Sequence, residues 1–306
     1  MKRSFFIILA GLVVTAVSCT KNMEVDRPDF QVSLNAANLV ADTFTYRMGD
    51  TTRFQFTGSA GNIAFYSGEI GKRYDNRVVS HRLGQLTLSF ASKAEWGTQT
   101  NTLKVFVTNK LTGLDSATVV NAPWTEITSR AALATSATVV NSGTIDLTDQ
   151  VANAEDSLFI AFRYSGVTGS TQRTWTITNY LVNNVFPDQT YNVSSLTTDA
   201  SFWTRYGNVW SPATARWTAT AGDLKITGGT GTAPTNTSWI ISRPLYVGRV
   251  SPDVSTGIKS INEPDKTGYD YRYNSPGVYK ATFVAFNHTL DEEKSVIREL
   301  IIKVIP

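Results

Sequence analysis

The sequence predicts an all-β protein, and three observations lead to that prediction. Thr, Ser, Val, Asn and aromatic residues are frequent while charged residues make up only 17%, a composition that favours strands over helices. Apolar and polar residues alternate over strand length in many segments. Clusters of Gly, Ser, Asn and Pro separate these segments, as turns do. With 306 residues, 42% of them hydrophobic, the chain can form one large β domain or two ordinary ones.

The start of the chain predicts export and lipid anchoring. Lys2 and Arg3 precede the apolar run Phe5–Val14, and small residues stand just before Cys19, which is typical of a secretory signal peptide over residues 1–18. The run is too short to remain as a membrane span. Cys19 is the only cysteine, and its position resembles a bacterial lipobox, in which the cysteine carries lipid. The alternative is an ordinary signal peptide with an incidental cysteine.

Residues 19–29 are interpreted as a polar tether between the lipid and the folded body. Glu24 and Asp26 resemble the acidic tract that directs some lipoproteins of the Bacteroides group to the cell surface. We therefore expect an outer-membrane, lipid-anchored and surface-exposed protein. Loss of residues 1–18 would leave a formal charge of +1, which gives no reason to expect a nucleic-acid partner.

Both ends of the remaining chain predict strands of one sandwich. Near the start, Thr51–Gly58 and Ile63–Glu69 follow the strand pattern and are separated by a polar turn. Near the end, the same pattern continues to the last residue, where β-branched residues favour a strand over a helix. These C-terminal segments are Tyr269–Tyr273, Val278–Asn287 and Ser295–Ile305.

Two of these segments resemble a known domain family. FTGSAGNIAFYSGEIG and NSPGVYKATFVAFN resemble early strands and the penultimate hairpin of the polycystic-kidney-disease-type immunoglobulin-like (Ig-like) domain. The sequence departs from that family where Phe65–Glu69 replaces the usual tryptophan. The resemblance implies an Ig-like sandwich formed by residues 30–82 and 251–306, with the middle of the chain inserted between the halves.

The inserted part, residues 83–250, has its own strand pattern. LTLSFAS, TLKVFVTN, SLFIAFRYSG and RTWTITNYLVNN alternate or remain apolar over strand length. SLFIAFRYSG, RTWTITN and TSWIISRPLYV resemble parts of the galactose-binding-like jelly rolls of surface anchoring proteins and adhesins. This resemblance implies an inserted jelly-roll sandwich.

The whole chain resembles a Bacteroides lipoprotein family, domain of unknown function 5017. The motifs FYSGEIGKRYDNR, WTEITSRAALAT, SGTIDLTD, LFIAFRY, TWTI and SPGVYKATFVA carry the resemblance. It implies no catalytic residues. Similar genes accompany glycan-uptake machinery, which makes outer-membrane uptake proteins candidate partners.

An aromatic segment, residues 201–217, is the main candidate for ligand binding. Trp203, Tyr206 and Trp210 lie in a Gly-, Ser- and Pro-containing stretch without clean alternation, which favours a loop. Exposed rings offer sugar C–H groups a flat apolar partner, while neighbouring polar groups bind hydroxyls. Trp96 is a second loop candidate. The alternative is that the rings of residues 203 and 210 fill the core.

Chemistry-bearing motifs are few. His81 and His288 are the only histidines, and neither has the local spacing of a metal pair or of a nucleophile and its base. Asp146 and Asp149, in IDLTD, are candidates for a structural calcium ion, because carboxylate oxygens suit Ca²⁺. We assign no catalytic residue and no other cofactor.

The sequence thus favours a non-catalytic, lipid-anchored surface protein that binds extracellular glycan for an uptake system. A second interpretation is an adhesin or structural protein that binds a protein partner, for example through an exposed sheet edge. A third is an enzyme, which only the general presence of Asp and Glu supports.

Overall fold

A computed structural model describes residues 24–40, 43–207 and 216–306. It confirms the all-β prediction, with 48% strand and 9% helix. Cys19 and Trp210 lie outside the described residues, so the structure gives no account of either.

The chain divides into two compact units. Met1–Arg77 and Asp253–Pro306 form the smaller unit, and Val78–Pro252 form the larger one. The borders expected from the sequence, 82/83 and 250/251, lie five and two residues from the borders of these units.

The smaller unit is built from two sheets, with strands numbered along the whole chain. Its strands are β1 Asp29–Ser33, β2 Leu39–Val40, β3 Thr43–Arg47, β4 Thr51–Ser59, β5 Asn62–Tyr66, β19 Thr256–Lys259, β20 Gly268–Arg272, β21 Gly277–His288 and β22 Glu293–Ile305, with 3₁₀ turns at Ala36–Asn38 and Tyr74–Asn76. One sheet has the order β1-β4-β20 and the other β19-β5-β21-β22-β3-β2. Only the pairing of β3 with β22 is parallel among these described strands.

One apolar core joins the two sheets of the smaller unit. The rings of Phe54, Phe65 and Phe283 come from β4, β5 and β21, and their centroids lie 4.8–5.6 Å apart. All three are buried, which follows from the period of two in each strand. The segment Ser295–Ile305 is a strand, as predicted, and β22 lies between β21 and β3. Its helix-forming residues are overridden by twelve paired positions with β21.

The described start of the chain is fastened to a turn of the smaller unit. The buried Val25 donates its N–H to the Glu292 carboxylate at 3.3 Å. Asn287 Nδ2 donates to the Asp26 carbonyl at 2.8 Å, while Asn287 Oδ1 accepts from Gly61 N at 2.6 Å. Residues 25–26 are thereby held beside the hairpin turn between β21 and β22.

The larger unit is a second pair of sheets. Its strands are β6 Gln85–Glu95, β7 Leu103–Thr108, β8 Thr125–Glu126, β9 Val140–Asn141, β10 Ile145–Asp146, β11 Ser157–Gly166, β12 Thr174–Val185, β13 Thr190–Ser195, β14 Thr204–Tyr206, β15 Trp217–Ala219, β16 Asp223–Ile226, β17 Asn236–Ile241 and β18 Leu245–Tyr246. The helices are α1 Ser116–Asn121 and α2 Leu196–Asp199, with 3₁₀ turns at Thr128–Arg130, Thr148–Gln150 and Ala200–Phe202.

In the larger unit, one sheet follows β10-β6-β12-β16-β15 and the other β14-β17-β11-β7-β8. Strands β9 and β13 join the first sheet, and β18 joins the second. Leu88, Phe162 and Ile177 are fully buried in one shared core between them. These are the two faces expected of a β-sandwich.

Candidate functional site

Trp203 is a core residue, which corrects its expected place on an exposed loop. Only 6% of the side chain is exposed. Its ring meets Tyr180 edge-on at 5.1 Å between centroids and lies 6.4 Å from Phe162. The next residue begins β14, which pairs with β17 and directs the indole inward. Trp203 therefore has no face available for a sugar.

Tyr206 is also held by the protein. It is half-buried, packs beside the cluster that contains Phe106 and Trp239, and donates its hydroxyl to the Leu114 carbonyl. The Tyr206 ring therefore packs against the protein and does not offer an open surface for a sugar. Of the three candidate rings in residues 201–217, Trp203 is buried, Tyr206 is half-buried, and Trp210 lies outside the described residues.

Trp96 fits the predicted exposed ring. Of the tryptophans in the described ranges, it is the one that is exposed, at 74%. Its φ of +59° is unusual for a bulky residue. Gly97 follows with φ +57°, so this pair makes the tight turn that leaves β6 and projects the indole. Backbone strain of this kind clusters at functional sites.

The loop that carries Trp96 is held in place by hydrogen bonds of Gln99, three residues further on. Gln99 Nε2 donates to the carbonyls of Val167 and Ser170 at 2.7 and 3.0 Å, and Gln99 Oε1 accepts from Val167 N at 3.0 Å. Arg173 Nε donates to the Gln99 carbonyl at 2.9 Å. An exposed ring on a fixed loop loses less conformational entropy when it binds a ligand than one on a mobile loop.

Two depressions adjoin this loop and share Arg173. The first has a volume of about 320 Å³, with Trp96, Glu95 and Ser136 in its lining. The second has a volume of about 260 Å³, with Gln99 in its lining. The arrangement combines a flat apolar face with hydrogen-bond donors and acceptors, which is what a polyhydroxylated ligand requires.

Alanine in place of Gly97 is expected to reduce the free energy of unfolding more than alanine in place of Gly143. Both residues have positive φ, +57° and +76°, which costs an L-residue about 1–2 kcal/mol. A Cβ at Gly97 would also lie 2.0 Å from the Thr171 carbonyl oxygen, whereas nothing lies within 4 Å at Gly143. Denaturant unfolding measures both losses, and equal losses would contradict a tightly fixed Trp96 loop.

The calcium candidates Asp146 and Asp149 lie beside a cationic side chain. Arg130 donates to both carboxylate oxygens of Asp149 at 2.8 and 2.7 Å and to the Asp146 carbonyl at 2.8 Å. Gln85 donates to the Asp146 carboxylate at 3.0 Å. Arg130 thus supplies a positive partner for Asp149. A structural calcium ion stays a prediction, and an unchanged melting temperature after chelation would contradict it.

Arg130 lowers the pKa of Asp149 to about 2, mainly through its hydrogen bonds. Because the unfolded pKa is about 3.9, the pair should stabilise the fold above that pH and lose its effect as the pH falls through about 2. The Asp149 side chain is 53% exposed, so screening limits the contribution to about 1 kcal/mol or less.

We expect Arg130→Gln to return the pKa of Asp149 toward about 3.9, as measured by NMR titration of the carboxyl group. Asp156 is the internal control, since backbone N–H groups of Ala152 and Asn153 lower its pKa. An Asp149 pKa that stays near 2 would show that another group holds it.

The histidines occupy exposed positions. His81 Nδ1 lies 3.0 Å from Ser80 Oγ, and His288 Nδ1 lies 3.3 Å from Asn62 Nδ2. Throughout the described ranges, no three His, Cys, Asp or Glu side chains are grouped so as to hold a metal ion. No helix among the same residues is both long and apolar enough to span a membrane.

A larger cleft, which the sequence reasoning missed, lies in the smaller unit. It has a volume of about 670 Å³, and its lining includes Glu69, Tyr271 and Tyr279. The signal for this cleft in the sequence is YDYRY, Tyr269–Tyr273, in which alternate tyrosines share one side of a strand. From the sequence alone this segment predicts only a strand, because Glu69, its neighbour in the fold, lies about 200 positions earlier in the chain.

The two units, each built from packed β-sheets, define the class: an all-β protein. The chain belongs to the family described as domain of unknown function (DUF5017), whose model matches residues 18–202. That match ends one residue before Trp203 and so leaves the C-terminal motifs uncovered. No curated protein matches the chain, and no solved structure does. The likeness to particular Ig-like and jelly-roll families stays a prediction.

Proposed function

We propose that this protein is a lipid-anchored, non-catalytic cell-surface protein that binds extracellular glycan, with Trp96 as its stacking residue. The observation that supports this proposal most directly is that the Trp96 indole is 74% exposed on a loop held by hydrogen bonds. Glu95, Ser136 and Arg173 beside it supply acceptors and donors for hydroxyl groups. Outer-membrane uptake proteins are the proposed partners, since a binder at the cell surface must pass its glycan to a transporter.

The deciding experiment is a glycan array probed with the soluble chain that starts at Thr20, followed by affinity electrophoresis in gels that contain the polysaccharides bound. We expect retardation by at least one polysaccharide. Absence of binding across plant, host and microbial glycans would contradict the proposal and favour a protein ligand.

Anchoring is proposed to depend on Cys19. We expect Cys19→Ser to move the protein from the membrane fraction to the soluble fraction, because the lipid can no longer be attached. Fractionation followed by mass spectrometry of the N-terminal peptide measures both location and lipid. Recovery of Cys19→Ser in the membrane fraction, in the same amount as the unsubstituted protein, would contradict the anchor.

A further inference from the structure

The 670 Å³ cleft of the smaller unit is formed by two turns at one end of its sheets. One turn follows β5 and contributes Glu69 and Lys72. The other joins β20 to β21 and contributes Pro276. Tyr271 and Tyr279 complete the wall. The volume falls in the range of sites that bind small ligands, about 300–1,000 Å³.

Tyr279 is fixed in orientation. Its ring stacks on Tyr273 with centroids 4.6 Å apart and planes 19° from parallel. Its hydroxyl donates to the Ser275 carbonyl at 2.8 Å. Tyr273 is buried and donates its own hydroxyl to the Ser67 carbonyl at 3.0 Å. Tyr273 covers one face of Tyr279, and Gly277 lies close to its hydroxyl end. The half-buried ring still lines the cleft, so its remaining exposed surface can meet a ligand there.

Glu69 places an acceptor in the same cleft. Its Oε2 accepts hydrogen bonds from the Tyr271 hydroxyl and from Ser67 Oγ, the latter at 2.8 Å. Burial, aided by the hydrogen bond to Glu69, raises the pKa of Tyr271 to about 12, so the phenol remains a donor at neutral pH. Both donors use Oε2, and Oε1 accepts no hydrogen bond from the described part of the chain, so it can accept one from a ligand hydroxyl.

Lys72 supplies the complementary donor. It lines the cleft, and its ammonium forms no ion pair with any other residue of the described ranges. Exposed apolar side chains, Ile70 at 54% and Val278 at 68%, flank the opening. The cleft therefore combines a ring face, an acceptor and a donor within apolar borders.

We propose that this cleft is a second carbohydrate site, which takes a pyranose ring against Tyr279, one hydroxyl at Glu69 and an oxygen substituent at Lys72. The ligand class rests on the proposed glycan-binding function, but the residues are independent of the Trp96 loop. The oxygen at Lys72 belongs either to a hydroxyl or to the carboxylate of a uronic acid, and both accept from an ammonium group.

The test is affinity electrophoresis of the soluble chain in gels with starch, xylan or polygalacturonate. Trp96→Ala is the background that removes the first site. We expect this variant to keep residual retardation on at least one gel, and we expect Glu69→Gln or Lys72→Ala in that background to weaken it about tenfold or more. Lys294→Ala is the matched control, because Lys294 is an exposed lysine of the same unit, paired with Asn287 at the end of β21 away from the cleft.

The outcomes separate the two proposals. If Trp96→Ala abolishes all retardation and Glu69→Gln and Lys72→Ala alone bind as the unsubstituted chain does, the second site is overturned and the glycan function stands. If the unsubstituted chain is retarded on none of the gels, the second site is overturned for these three polysaccharides, while the glycan array decides the function. If Lys72→Ala loses retardation on polygalacturonate alone, Lys72 binds a ligand carboxylate. If it loses retardation on all three gels, Lys72 binds ligand hydroxyls.

Discussion

Replacing Trp203 by alanine is expected to reduce the free energy of unfolding of the larger unit by about 3–5 kcal/mol, the usual cost of removing a large buried ring. The indole is 6% exposed and packs against Tyr180 and Phe162. The backbone cannot easily move to fill the cavity left by the indole, because Phe162 and Tyr180 are fixed on β11 and β12, each a strand paired within its own sheet. Chemical denaturation followed by tryptophan fluorescence measures the loss.

Trp203→Phe is the matched control. The indole N–H of Trp203 has no acceptor within the described residues, so phenylalanine keeps most of the packing and removes an unsatisfied donor. We expect a loss well below that of Trp203→Ala, and we expect folded samples of both variants to bind glycan normally. Weakened binding with unchanged stability would show that Trp203 contacts the ligand after all.

Replacing Trp96 by alanine is expected to weaken glycan binding without lowering stability, the reverse of the effects expected for Trp203→Ala. Glycan affinity should fall by about 30-fold, which corresponds to roughly 2 kcal/mol for a tryptophan at the centre of a contact. Stability should stay unchanged or rise, because the indole is 74% exposed and its backbone is in a conformation that bulky residues rarely adopt. Isothermal titration and denaturant unfolding measure the two effects on the same samples.

Phe202→Ala provides the control for the Trp96 experiment. Phe202 is another aromatic residue of the larger unit with 58% exposure, but it lies outside the lining of both depressions beside Trp96. Its replacement should leave affinity unchanged. If both variants lose affinity equally, general surface hydrophobicity rather than a defined site would explain binding.

The strands were predictable because they depend on local alternation. Thr51–Gly58 was predicted and Thr51–Ser59 is observed as β4; Val278–Asn287 was predicted and Gly277–His288 is observed as β21. Ile63–Glu69 was predicted too long, because the strand ends at Tyr66. Gly68 has a φ of +84° and begins the turn that places Glu69 in its cleft, a conformation that glycine adopts without strain.

The site was less predictable, because exposure of a ring depends on contacts between distant segments. Trp203 and Trp96 both adjoin polar stretches without alternation, which precede Trp203 and follow Trp96. Trp203 is buried through the pairing of β14 with β17, some 35 residues later, whereas Trp96 projects from a loop held by Gln99 and Val167. The Glu69 cleft likewise joins residues about 200 positions apart, a distance over which local patterns carry no information.

The fastening of Val25 and Asp26 to the turn between β21 and β22 determines how the smaller unit responds to mechanical tension. A pull applied before residue 24 first loads the hydrogen bonds of Val25 and Asp26 to Glu292 and Asn287. Once they break, it loads β1, whose five pairs with β4 run from Asp29 opposite Ser59 to Ser33 opposite Gln55. Because ladder hydrogen bonds lie across the strands, a force along β1 loads them together in shear. All five pairs of β1 would therefore share a force that acts along the strand.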